Sequence, residues 1–107
     1  MFKQIREGDI LLIAVDVEPP EGARRTGEVV LAMGEVTGHA HRLTADAILE
    51  WRTDGQRYVR VLGTEAGAIS HEEHDPQPAH VVTPEVTYRV VQQREWDLSA
   101  QWRPVVD

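Results

Sequence analysis

Residues 48–62, ILEWRTDGQRYVRVL, decide the fold class, because they form two β-like runs that meet at Asp54-Gly55. Both runs are rich in β-branched, aromatic and aliphatic residues, which favour strands. An Asp-Gly pair between two such runs is among the strongest short-range signals for a β-hairpin. The sequence therefore predicts two antiparallel strands joined by a tight turn.

The register of this hairpin follows from which residues share a face. A two-residue turn pairs Leu49 with Arg60 and mixes polar and apolar side chains on both faces of the hairpin. A three-residue loop over residues 53–55 pairs Leu49 with Val59 instead and leaves one face apolar. We therefore expect the three-residue loop, with Gly55 in a left-handed bulge position.

Outward from the hairpin, the chain consists of short strand-like runs separated by turn residues. Further strands are predicted over residues 10–17, 27–36, 68–71 and 86–96 and from residue 39, with a turn at 44–47 and one helical turn at 97–102. With 107 residues, the chain fits one domain, residues 1–107. We expect an all-β barrel or sandwich of about seven or eight short strands, with few helical residues.

Charge and composition exclude several classes of partner. A formal net charge of −7 opposes binding to phosphate backbones, so nucleic acid is not expected as a partner. The arginines at 24, 25, 52, 57 and 60 are interpreted as solvated side chains. The chain has no cysteine, which excludes disulfides and thiolate metal sites. Its longest apolar run, residues 10–15, is too short for a membrane span, so we expect a cytoplasmic protein without membrane contact.

Two histidine-rich stretches are the strongest functional signal in the sequence. They hold four of the five histidines: His39 and His41 in residues 34–42 (GEVTGHAHR), and His71 and His74 in residues 70–76 (SHEEHDP). In a strand, residues i and i+2 lie on the same face, so His39 and His41 can present two imidazoles side by side. The fifth histidine, His80, stands apart and is interpreted as structural.

These stretches predict a divalent metal site. Imidazole and carboxylate groups are ligands for zinc, iron, manganese or nickel, and the spacing does not choose among these ions. We expect His39, His41 and one of His71 and His74 as ligands, with the other histidine or Glu73 as a partner that fixes a ligand ring. Because imidazole binds metal only when it is neutral, the metal affinity should fall below about pH 6.

Three functions are compatible with this pattern, and the sequence leaves open whether the protein is an enzyme. The first is a metal-binding protein that acts on a small-molecule substrate. The second is a non-enzymatic binding or assembly module, a homodimer formed through strand edges, whose histidines are structural. The third is a metal-free enzyme, such as a ribonuclease-like one, in which these histidines act as acid and base. No dinucleotide or P-loop motif is present, so no nucleotide cofactor is expected.

Two resemblances are carried by these motifs. A His-x-His on an early strand of a small β protein resembles the cupin family, which implies a double-stranded β-helix with a metal held by His39 and His41. The segments GDILLI, GEVTGHAH, HEEHDP and YRVVQQREW together resemble small uncharacterised bacterial and phage-associated proteins. That second resemblance spans most of the chain and implies no known activity.

Overall fold

The computed structural model describes residues 4–7, 10–33, 40–71 and 80–92, and each regular element in them is a β-strand. In chain order the strands are β1 Gln4–Glu7, β2 Ile10–Val15, β3 Arg24–Met33, β4 Ala40–Thr53, β5 Gln56–Val61, β6 Gly67–His71, β7 His80–Val82 and β8 Thr87–Gln92. The predicted all-β fold is therefore confirmed. The described part of the chain contains no helix that could cross a membrane.

All eight strands belong to one antiparallel sheet that curls into a nearly closed barrel. The order is β1-β2-β8-β5-β4-β6-β7, and β3 pairs with the other side of β4. The long strand β4 is shared, because residues 41–44 pair with β6 and residues 48–53 pair with β5. Strands β1 and β7, at the two ends of this order, approach each other, so the curvature leaves only short edges.

Apolar side chains on the inner face of the sheet form the core. In β2, for example, Ile10 and Leu12 are fully buried while Leu11 between them is only half-buried, as expected from alternation along a strand. In β4 the inward positions change from odd to even numbers between Leu43 and Ile48, both fully buried. The register against β3 shifts in the same segment, and an irregularity of this kind reverses which positions face inward.

The Asp54-Gly55 hairpin has the two-residue turn, so the predicted three-residue loop is wrong. Asp54 and Gly55 both have positive φ, 54° and 77°, as a type I′ turn requires. The resulting register pairs Trp51 with Tyr58, and their rings stack with centroids 5.5 Å apart. This aromatic pair offsets the mixing of polar and apolar side chains that argued for the longer loop.

Other segments differ from the prediction at strand boundaries. Residues 44–47, predicted as a turn, continue β4, and Thr44 pairs with both neighbouring strands. The sequence predicts neither β1 nor β7, because each is short and β1 has mostly polar residues. The predicted helical turn at 97–102 and the last residues of the predicted strand 86–96 lie outside the described residues.

Tyr88 offers a test of the core, because its side chain is fully buried and its hydroxyl has no hydrogen-bond partner within the described part of the chain. A buried hydroxyl without a partner costs about 1–3 kcal/mol. We therefore expect Tyr88→Phe to leave the free energy of unfolding unchanged or to raise it by about 1 kcal/mol in urea titrations. Tyr58→Phe, at a half-buried ring, is the control and should change it by less than about 0.5 kcal/mol. A loss of more than about 1 kcal/mol for Tyr88→Phe would mean that the hydroxyl is hydrogen-bonded in solution.

Candidate functional site

Two of the histidines predicted as ligands lie in described strands. His41 is the second residue of β4, and His71 is the last residue of β6. His39, His74 and Glu73 lie outside the described residues, so their roles stay predictions. The backbone positions of His41 and His71 are therefore the starting point for the site.

His41 and His71 occupy directly opposite positions on neighbouring antiparallel strands. The next pair on the same face is Leu43 with Ile69. Opposite residues of an antiparallel ladder share a face, with Cβ atoms about 4.5–5.5 Å apart. Because metal–nitrogen bonds are about 2.0–2.1 Å long, two imidazoles at such positions are close enough to share one ion.

His41 lies on the inner face of the barrel. Its exposed fraction is 7%, and it precedes the fully buried Leu43 by two residues on the same strand. Leu43 and its partner Ile69 both belong to the apolar core. Since β4 begins and β6 ends beside this pair, the two histidine positions mark one mouth of the barrel.

The charged side chain next to His41 on β4 does not disfavour a cation beside His41. Arg42 follows His41 and therefore falls on the opposite face of the strand. Its guanidinium lies 3.6 Å from the carboxylate of Glu28 on β3, and both side chains are partly exposed. The positive charge that lies nearest to His41 in sequence, that of Arg42, is thus paired with Glu28 on the outer face of the sheet.

The strand on the other side of His41 is irregular. Strand β3 pairs Ala32 with His41 and Val30 with Arg42, so Leu31 is an extra residue without a register partner. This arrangement is a β-bulge, which bends the strand and takes backbone groups out of the ladder. The neighbouring carbonyl oxygens then need other donors.

Arg57 of β5 supplies those donors. Its Nη1 donates to the carbonyl oxygen of Leu31 at 3.0 Å, and its Nη2 donates to the carbonyl oxygen of Val30. Nη2 also lies 3.2 Å from the carboxylate of Glu50 on β4. Arg57 is thus a positioning residue for the strand beside His41, and its interpretation as a solvated side chain is wrong.

The sequence contains a signal that could have identified Arg57 as a residue with partners inside the fold. In the two-residue register, Arg57 falls two residues before the buried Val59 and therefore on the inner face of the hairpin. An arginine at an inward position requires a carboxylate or carbonyl partner. Glu50, on the same face of β4, is such a carboxylate.

A second polar cluster surrounds Arg60, whose side chain is 17% exposed, so its interpretation as a solvated side chain is wrong as well. Its guanidinium donates to the hydroxyl of Thr87 at 3.1 Å and lies 3.5 Å from the carboxylate of Glu85. Glu85 has a left-handed φ of 61°, and its other carboxylate oxygen accepts the N–H of Gly63 at 2.7 Å. Because both carboxylate oxygens interact within the fold, this cluster fixes the entry into β8.

Among the side chains that the structure describes, no three histidine, aspartate or glutamate residues form a group that could hold a metal ion. Of the predicted ligand set, only His41 has a described side chain. The case for a site therefore depends on the β4–β6 register and on the burial of His41.

The chain belongs to a family described as a domain of unknown function, DUF8820, which matches residues 6–93. The matched range includes both histidine stretches and nearly all of the described barrel. Membership in this family agrees with the resemblance to small proteins that have no known activity. No curated protein and no solved structure matches the chain.

Proposed function

We propose that this protein binds a divalent metal ion through His41 and His71 at one mouth of its β-barrel. One observation carries the proposal: the β4–β6 register sets these two histidines opposite each other, although the whole of β5 separates them in sequence. The placement of His41 supports it, because His41 is 7% exposed and lies two residues from the core residue Leu43 on the inner face of the barrel.

Two imidazoles alone make a weak site, so further ligands belong to the proposal. His39 precedes His41 by two residues, and His74 and Glu73 follow His71 closely in sequence. The register supports His71 over His74 as a primary ligand. A site of imidazoles with at most one carboxylate suits zinc, iron, manganese or nickel.

The proposed chemistry is that of an ion with an open coordination position. Such an ion polarises a bound oxygen or activates water, which serves lyases, isomerases, hydrolases and oxygenases that act on small molecules. The barrel shape and the inward His41 are also what a cupin-like site would need. The cupin comparison rests on the pair His39 and His41.

A homodimeric assembly module is the second candidate, favoured by one surface feature. Val81 on the edge strand β7 is 63% exposed and lines a shallow groove with Ile5 and Arg6 of β1. An exposed apolar residue on an edge strand is a natural contact for a second chain. In this alternative the histidines stabilise the mouth of the barrel without a metal.

Metal analysis after reconstitution tests the proposal. Protein without an affinity tag, incubated with zinc, iron, manganese or nickel and then dialysed, should retain about one equivalent of at least one ion. The retained metal should be released as the pH falls below about 6, because protonated imidazole cannot bind. Retention below about a tenth of an equivalent for all four ions would leave only the metal-free functions. A dimer by light scattering would then favour the assembly module.

A further inference from the structure

We infer that His80 is a third ligand of the proposed metal, an inference that rests on the proposed function. His80 is the first residue of β7, and the β6–β7 register pairs it with Ile69. Opposite residues share a face of the sheet. Position 80 therefore lies on the face of Ile69, whose side chain is 1% exposed within the core.

The burial pattern along β7 supports the same assignment. Val82 is fully buried, whereas Val81 is 63% exposed. Residues two apart in a strand share a face, so position 80 falls on the inner face together with Val82. This placement differs from the interpretation of the sequence, in which His80 stands apart from the other histidines.

Positions 41, 71 and 80 then lie on one face of three neighbouring strands, with position 80 level with Leu43 and Ile69. His41 is opposite His71, and His71 follows Ile69 by two residues on β6. Because His80 is opposite Ile69, positions 71 and 80 are diagonal neighbours. Diagonal neighbours are about 7–8 Å apart, which long and aromatic side chains can bridge. One face of the β4–β6–β7 sheet thus carries three imidazole-bearing positions at one mouth of the barrel.

Three histidine ligands determine the kind of metal site and the kind of small molecule that can bind at its open position. A divalent ion with three protein nitrogens keeps a fourth position for water or substrate, as in catalytic zinc sites. Neutral imidazoles leave the full charge of the ion uncompensated, so the open position favours an oxygen anion. We therefore expect hydroxide or the carboxylate of a small substrate at this position.

Cobalt(II) and zinc titrations of the full chain test the role of His80. Cobalt absorbance in the visible range reports the ligands and geometry of the ion, and competition with zinc gives the affinity. His80→Ala should weaken zinc binding at least about tenfold and alter the cobalt spectrum, because an inner ligand is lost. The exchange variant His80→Val with Val81→His should behave in the same way, because a shift by one residue moves the imidazole to the outer face.

The outcomes separate this inference from the proposed function. An unchanged zinc affinity in His80→Ala, with a loss in His41→Ala, would overturn the role of His80 and leave the metal site standing. An original chain that binds neither ion would overturn both. Urea unfolding without metal checks that each variant is folded. If His80→Ala does not fold, His80→Gln keeps a polar side chain and should show the same loss.

Discussion

Arg57→Met is expected to lower the free energy of unfolding by about 2–3 kcal/mol. The guanidinium donates to two carbonyl oxygens of the β3 bulge and to Glu50, and the Arg57 side chain is 21% exposed. Methionine preserves much of the volume but removes every donor, so carbonyl and carboxylate oxygens lose their partners. Partial exposure to solvent keeps the loss below that of a fully buried ion pair.

Arg52→Met is the matched control for this exchange. Arg52 is exposed, and it lies directly opposite Arg57 in the β4–β5 ladder. Because the exchange takes place at the surface, the expected change is less than about 0.5 kcal/mol. Urea unfolding followed by tryptophan fluorescence measures both variants under the same conditions. If Arg57→Met changes stability as little as Arg52→Met, the Arg57 contacts with the bulge do not stabilise the fold.

The effect of Arg57 reaches the candidate site through the backbone. The bulge at Leu31 lies next to Ala32, which pairs with His41. The guanidinium therefore fixes the strand against which His41 is placed. In the metal site that we propose, a shift of this strand would also move His41, so Arg57 helps to set the position of that proposed ligand.

The sequence predicted the class of the fold because alternation and turn residues determine it locally. The strand predicted over residues 10–17 is observed over Ile10–Val15, and both arms of the hairpin are strands. Eight strands in a chain of 107 residues cover their apolar faces by curling the sheet. The positions of strands and turns depend on residues that are neighbours in sequence, so they can be predicted without the structure.

The hairpin register was mispredicted because the faces of β4 are not uniform along the strand. Strand β4 changes its inward positions between Leu43 and Ile48, and this shift depends on pairing with the distant β3. Glu50 is tolerated on the inner face because its carboxylate forms an ion pair with Arg57 there. Tertiary contacts of this kind override local patterning.

The candidate site was predictable only in part for the same reason. The sequence places His39 and His41 together by their spacing, but only the register shows that His71 is the partner of His41. That register requires β4 to pair with β5 over one half and with β6 over the other. The pairing of position 80 with Ile69 was not predicted, because β7 is a three-residue strand, too short to show alternation.

Removal of either paired histidine should abolish tight metal binding. We expect His41→Ala and His71→Ala each to weaken zinc binding by more than about a hundredfold, because even residues that only support a ligand typically contribute 10- to 100-fold. Ser70→Ala is the matched control, since Ser70 is exposed, precedes His71 and pairs with Arg42 on the opposite face. Its zinc affinity should equal that of the original chain.

The most direct test of the metal site is a calorimetric zinc titration of the original chain beside these three variants at neutral pH. The site that we propose predicts about one zinc per chain for the original protein and for Ser70→Ala, with little or no binding in His41→Ala and His71→Ala. Retention of tight, equimolar zinc binding by both folded histidine variants would contradict a metal site built on the pair His41 and His71.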